Sequence, residues 1–168
     1  MVKKIFQEGK KYTFSDYFKI ENPPEEILAE LGYHFYKQKL ELPRSTDIDT
    51  QTIENLRSFY YTIVPKISVN SEIAKRELMI APILHNIIKI VDAKLNVEYY
   101  IDADEHLSGS IDYFFRSRQE IIIIEAKKGD LENGFKQLAA EMIGVDKIEE
   151  TDSPDILYGA LRDRKSVV

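Results

Sequence analysis

The sequence contains no cysteine. That excludes disulfides and thiolate-held zinc or iron-sulfur clusters, so any metal must sit on oxygen ligands or on the three histidines. Oxygen ligands favour magnesium, manganese or calcium. Also missing is any apolar run approaching the roughly 20 residues of a membrane helix. The start, MVKKIF, is basic, but QEGKK follows where a signal peptide would need a long apolar stretch and a small-residue cleavage site, so the expected location is the cytoplasm. Internal repeats, low-complexity tracts and Ser/Gly linkers are absent as well, which leaves periodicity and punctuation to reveal the organisation. Basic charge is in deficit, with 23 Lys and Arg against 29 Asp and Glu and a net charge of -6. This argues against binding nucleic acid by bulk electrostatics, which needs clustered Lys and Arg. It does not exclude a metal-dependent enzyme, because a metal site must itself be acidic and a divalent ion brings positive charge locally.

What is present is about one domain's worth of ordinary globular sequence: 168 residues, 43% hydrophobic and 31% charged. In the first 70 residues, Pro23-Pro24 opens a short helix through about Leu31 that Gly32 closes, and YHFYKQKLEL has the alternation of a strand. Pro43 and the Thr/Asp-rich stretch around Ser45 to Thr52 make a loop, and a second helix covers Thr52 to Ile63, ended by Pro65. Asn70-Ser71 is a good N-cap with Glu72 in the first turn, where a carboxylate suits the helix dipole. Ile73, Ile80, Leu84, Ile87 and Val91 form one stripe, so this helix runs to about Ala93, with Pro82 bending or breaking it. Three strands follow, VEYYID from Val97, SIDYFF from Ser110 and EIIIIEAK from Glu120, at spacings that suit an antiparallel meander. Leu131, Phe135, Leu138, Met142 and Val145 form a second helical stripe, and Asp155 to Leu161 reads as a further strand.

The chemistry gathers on the second and third of these strands. Ile121, Ile123, Glu125 and Lys127 share one face and Ile122, Ile124, Ala126 and Lys128 the other, and isoleucine on both faces marks a buried inner strand. Glu125 and Lys127 thus put charge at the edge of a core, which is costly unless the charge is paired or bound to metal. An even-length turn over Arg116 to Gln119 pairs Phe115 with Glu120 and sets Asp112 opposite Ile123, on the face of Glu125 and Lys127; an odd-length loop would turn it away. With the even register Asp112 and Glu125 are diagonal neighbours, roughly 7 Å apart at the backbone and able to share one ion. Two carboxylates and a lysine at one sheet end suit phosphodiester hydrolysis. An acid and a lysine two apart, taken alone, far more often mark a salt-bridged strand end.

Four segments, SEIAKRELMIAPIL, LSGSIDYFF, IIIIEAKK and GFKQLAAEM, together resemble the PD-(D/E)XK phosphodiesterase superfamily, which includes restriction endonucleases and DNA-repair and junction-resolving nucleases. The resemblance covers about residues 70 to 160. The segment around Glu72 is also similar to the N-terminal nuclease domain of type I restriction motor subunits, where a glutamate precedes a similarly spaced Ile-x-Pro-x-Leu. Ile111 stands where the family's name has proline. The resemblance implies an α/β fold with a restriction-endonuclease-like core, a central mixed β-sheet flanked by helices, over 70–168, and a small helical and strand extension over 1–69 packed on it. It further implies a magnesium- or manganese-dependent nuclease acting on nucleic acid, DNA first. Asp112, Glu125 and Glu72 would bind the metal, Lys127 would position or activate water, and Gln137 would support it. Glu77 is the alternative to Glu72, since it falls within the apolar stripe and so points towards the sheet. Relatives usually continue past a strand like ILYGA with further core, so a homodimer or a partner subunit is also expected to be compatible with the chain. The rival function is a catalytically inactive module of nuclease fold that works as a protein-interaction or regulatory subunit.

The remaining polar residues carry less. His34 and His85 read as isolated residues, and DADEH, with His106, as an exposed acidic loop that would join a metal site only as a second choice. Phe59-Tyr60-Tyr61 and Tyr99-Tyr100 are more often core than base-stacking platforms. Arg116, Arg118, Lys127, Lys128 and Lys136 are candidates for phosphate contact near the site.

Overall fold

The computed structural model describes residues 4–39, 41–42, 45, 49–117, 121–126, 130–148 and 156–162, with Glu125, Ala126 and Arg162 described by main chain alone. The chain groups into two compact units, one made of 1–37 with 93–168 and the other of 38–92.

The first unit is a four-stranded mixed sheet in the order β1-β2-β3-β4 with helices packed on it. β1 (Lys94–Asp104), β2 (Leu107–Arg116) and β3 (Ile121–Ala126) form the expected antiparallel meander. The turn between β1 and β2 is Glu105-His106, and Gly109 lies inside β2 opposite Ile101. β4 (Leu157–Arg162) returns parallel to β3, pairing Ile123 with Gly159 and Glu125 with Leu161. Parallel pairing needs a crossover, and α6 (Leu131–Ile148) provides it. β3 therefore has a neighbour on both edges. Its Ile121 and Ile123 are wholly buried, as an inner strand of isoleucines requires.

Two short N-terminal helices, α1 (Phe14–Tyr17) and α2 (Pro24–Glu30), pack against α6, and α1 also meets β2. Phe14 is the wedge between them. Its ring lies 3.1 Å from where a Cβ would stand on Gly109 and 2.8 Å from one on Gly144, so both positions need a residue without a side chain. Gly109 also has φ 135°, a conformation that other residues rarely adopt. The Glu30 carboxylate accepts from the Ile5 and Phe6 amides, fastening the N-terminal segment to α2.

YHFYKQKLEL is not a strand in its described part. Its alternation is real, since Tyr33 and Phe35 are partly covered while His34 and Tyr36 are exposed, but what covers them is a helix. The Tyr33 hydroxyl donates to Asp146 at 2.7 Å and the Phe35 ring meets Phe135 edge-on at 5.5 Å, both on α6. A helix surface offers no backbone ladder, so the segment stays extended and unpaired.

In the second unit α3 (Thr50–Ile63) begins at the Asp49 cap and passes into a 3₁₀ turn, Val64–Lys66, at Pro65. Ser71 caps α4 (Glu72–Lys75) by accepting from the Ala74 amide. A π-helical turn, Arg76–Ile80, separates α4 from α5 (Ala81–Ile87), which carries Pro82 in its first turn. The π turn is the break that proline was expected to force. It also shifts the helical phase by one residue, roughly 100°. Ile80, the last residue of the turn, and Leu84, downstream of it, are buried, whereas Ile73 upstream is 64% exposed and Ile87 and Val91 further along are exposed as well, so the expected five-residue stripe is split. The Tyr60 hydroxyl donates to the Met79 carbonyl at 2.7 Å and ties α3 to this turn.

Among the described residues no helix is long and apolar enough to cross a membrane.

Candidate functional site

The site is organised by the register between β2 and β3. The paired residues are Arg116↔Ile121, Phe115↔Ile122, Phe114↔Ile123 and Tyr113↔Ile124. The connection is even in length, as the sequence reading required, but the closing pair lies one residue later in each strand than expected, Arg116↔Ile121 in place of Phe115 with Glu120, which slides β3 by two residues against β2. The ladder ends at Tyr113↔Ile124, and one step further in the same register lie Asp112 and Glu125, where Ile123 had been expected opposite Asp112. Facing positions on antiparallel strands lie about 5 Å apart, closer than the diagonal relation read from spacing. Asp112 is half-buried.

On its other side, Asp112 has Glu98 as ladder neighbour. β1 and β2 pair at Val97↔Tyr113 and at Tyr99↔Ile111, and the Glu98–Asp112 step between them is skipped. Glu98 has φ 52°, left-handed for a residue with a side chain, which explains the interruption. One register row therefore carries Glu98, Asp112 and Glu125 across three strands. Sequence reasoning missed Glu98. A two-residue turn pairing Asp104 with Leu107 would set Tyr99 opposite Asp112; the irregularity between Asp102 and Asp104 shifts the register by one and brings Glu98 there, and strand parity in the sequence gives no sign of it.

Gln137 was expected beside the apolar stripe of α6, and it lies deeper than that, 3% exposed. Its Nε2 donates to Glu141 Oε1 at 2.8 Å, and Glu141 has no exposed surface at all. Sequence reasoning missed Glu141 too. Its spacing from Gln137, one turn along a helix, was the available signal. Leu131 and Phe135, counted in the apolar stripe, are half exposed, while Leu138 and Val145 are buried.

Glu72 stands at the first position of α4 and Glu77 on the π turn, both in the second unit and both exposed, so Glu77 does not point inward as its place in the stripe implied. Lys127, Lys128 and Arg118 lie outside the described residues. Two basic candidates are described. Arg116 is exposed at the hairpin end of β2, opposite Ile121 and so four residues along β3 from Glu125, roughly 13 Å. Lys136 is buried and donates to the carbonyls of Ile20 and Asn22, the latter at 3.3 Å, so it holds the N-terminal segment instead of meeting phosphate. His106 lies at the other end of the sheet, its ring stacked on Phe6 at 4.8 Å within an aromatic group that includes Tyr12.

Among the described residues no three His, Asp or Glu side chains gather into a set for a metal ion, and those residues do not include the side chain of Glu125. The donor chemistry itself fits a hard cation: carboxylate oxygens on adjacent strands, in a chain without thiolates, match magnesium or manganese. Comparison with protein-family models, with curated proteins and with solved structures finds no match to this chain.

Proposed function

We infer that this protein is a metal-dependent phosphodiesterase that hydrolyses nucleic acid, with DNA as the expected substrate. One observation carries the reading: the β2–β3 ladder runs to Tyr113↔Ile124 in the register whose next step brings Asp112 opposite Glu125, near the end of an inner strand that closes at Ala126. The resemblance to the PD-(D/E)XK superfamily supplies the rest. In this reading Asp112 and Glu125 hold magnesium or manganese. The bound ion supplies a Lewis acid and a water of lowered pKa. Lys127 donates a hydrogen bond to that water or to the charge developing on the phosphate. Gln137 hydrogen-bonds the water or orients Lys127.

The test is conversion of supercoiled plasmid to nicked circles by the purified full chain with magnesium or manganese. Asp112→Ala and Lys127→Ala are each expected to abolish it. Nicking that survives both substitutions sinks the assignment.

A second reading, a non-catalytic interaction module, is favoured by the exposed apolar side chains of Tyr36, Tyr61 and Ile73 together with the net charge of -6. Calorimetric titration with manganese separates the two. Heat that disappears in Asp112→Ala supports the nuclease, and a folded protein that takes up no manganese supports the module.

A further inference from the structure

α6 carries a polar pair where packing alone calls for apolar side chains. Glu141 is completely buried and Gln137 nearly so, and the only hydrogen bond described between their side chains runs from Gln137 Nε2 to Glu141 Oε1, 2.8 Å long. Removing a carboxylate from water is costly, and an apolar residue of similar size would fill the same volume without that cost. Core packing therefore does not account for Glu141.

The direction in which the pair faces follows from the helix. Leu138 and Met142 lie over Gly159 of β4, within 3.3 Å and 2.5 Å of where its Cβ would stand. Gly144 lies near Ile101 of β1, at 3.9 Å by the same measure. At roughly 100° per residue, Gln137 and Glu141 fall on the arc between these two sides. The strands between β4 and β1 are β3 and β2, the pair that carries Glu125 and Asp112.

We propose that Glu141 is a positioning residue of the candidate site, acting through Gln137; this rests on the nuclease reading above. A glutamine amide can present either end, and the bond to Glu141 selects one. With Nε2 turned to Glu141, Oε1 is turned away from it, so the amide has an acceptor to offer the site. An acceptor is what a water molecule or a lysine ammonium needs in order to be oriented. Glu141 itself touches neither substrate nor metal in this scheme.

The experiment measures manganese-dependent cleavage of a DNA duplex by the full chain, with kcat and KM resolved, for wild type, Glu141→Met, Glu141→Gln and Gln137→Met. Glu141→Met removes the acceptor while filling the space. It is expected to lower kcat about ten- to hundredfold while leaving KM and manganese affinity within about threefold. Gln137→Met, which breaks the same hydrogen bond from the other end, is expected to match it, and the double variant to be no worse than either single one. Glu141→Gln keeps an acceptor oxygen and is expected to restore most of the activity. Wild-type kcat in Glu141→Met, or strictly additive losses in the double variant, overturns the positioning role and leaves the nuclease reading standing. If Glu141→Met gives no cooperative melt, Gln137→Met and Glu141→Gln decide by the same criteria. Wild-type protein that does not cleave removes the nuclease reading, and the positioning role falls with it.

Discussion

In the unit that contains the sheet, α6 buries nine of its eighteen residues, three of them polar. In the unit formed by 38–92, none of the fourteen residues of α3 is buried, and the fully covered apolar side chains are Met79, Ile80 and Leu84. Both helices are amphipathic by sequence, so apolar periodicity alone did not set this difference. What set it is the number of partners: α6 lies against four strands and two N-terminal helices, whereas α3 meets a short 3₁₀ turn and α5. An apolar stripe states what a helix can bury, and the neighbours decide how much it does bury.

The largest effect that would sharpen this contrast is in the sheet. Ile123→Ala opens a cavity under α6 at a wholly buried position and is expected to cost about 2–5 kcal/mol in chemical denaturation. A cost under about 1 kcal/mol would mean that the core is as loose as the second unit.

A smaller effect is expected where β1 is tied to the end of α6. Lys147 donates to Asp104 at 2.6 Å and the His106 amide donates to the same carboxylate at 2.8 Å. Partial burial alone would raise the Asp104 pKa, but these two hydrogen bonds and the Lys147 charge outweigh it and hold the group below its ordinary 3.8. The stabilisation is therefore present above that pH and lost as the pH falls through the lowered value. Because the pair is about one third exposed, Asp104→Asn is expected to cost only about 0.5–1 kcal/mol at pH 7. Denaturation curves of both proteins between pH 7 and pH 2 should converge at the acid end; a gap that widens there contradicts the ion pair.

The smallest effect belongs to the second unit. Ile73→Ala, at a position the sequence assigns to a buried stripe, is expected to change stability by no more than about 0.5 kcal/mol, because the side chain is already mostly in water. A cost near that of Ile123→Ala would restore the continuous stripe and erase the difference between the units.

These contrasts also show where the sequence was legible. Caps and breakers were: Pro24 and Ser71 begin helices, Gly32 ends one, and Pro65 and Pro82 mark interruptions. The meander was legible because each strand carries its own alternation and the connections are short. The kind of partner was not, and Tyr33 and Phe35 alternate like strand residues against a helix. Phase across the π turn was not, because a 3.6-residue period assumes that no residue is inserted. For the site, an even loop fixed the parity that allies Asp112 with Glu125, but which pair closes the hairpin depends on turn geometry. That left the facing position two residues away along β3. Glu98 and Glu141 escaped notice because each looks solvated on its own, and only the skipped ladder step and the burial of α6 make them stand out.

The parallel strand β4 has one more consequence, for the way the protein opens. With β2 on one edge and β4 on the other, the main chain of β3 exchanges hydrogen bonds on both sides, and β4 reaches its place only through α6. A local opening that frees β3 must therefore undo two ladders and lift a helix at once, while β1 borders only β2. The strand that bears Glu125 is built into the most slowly opening part of the sheet, so the main chain at Glu125 belongs to a platform that fluctuations of the outer strand do not disturb.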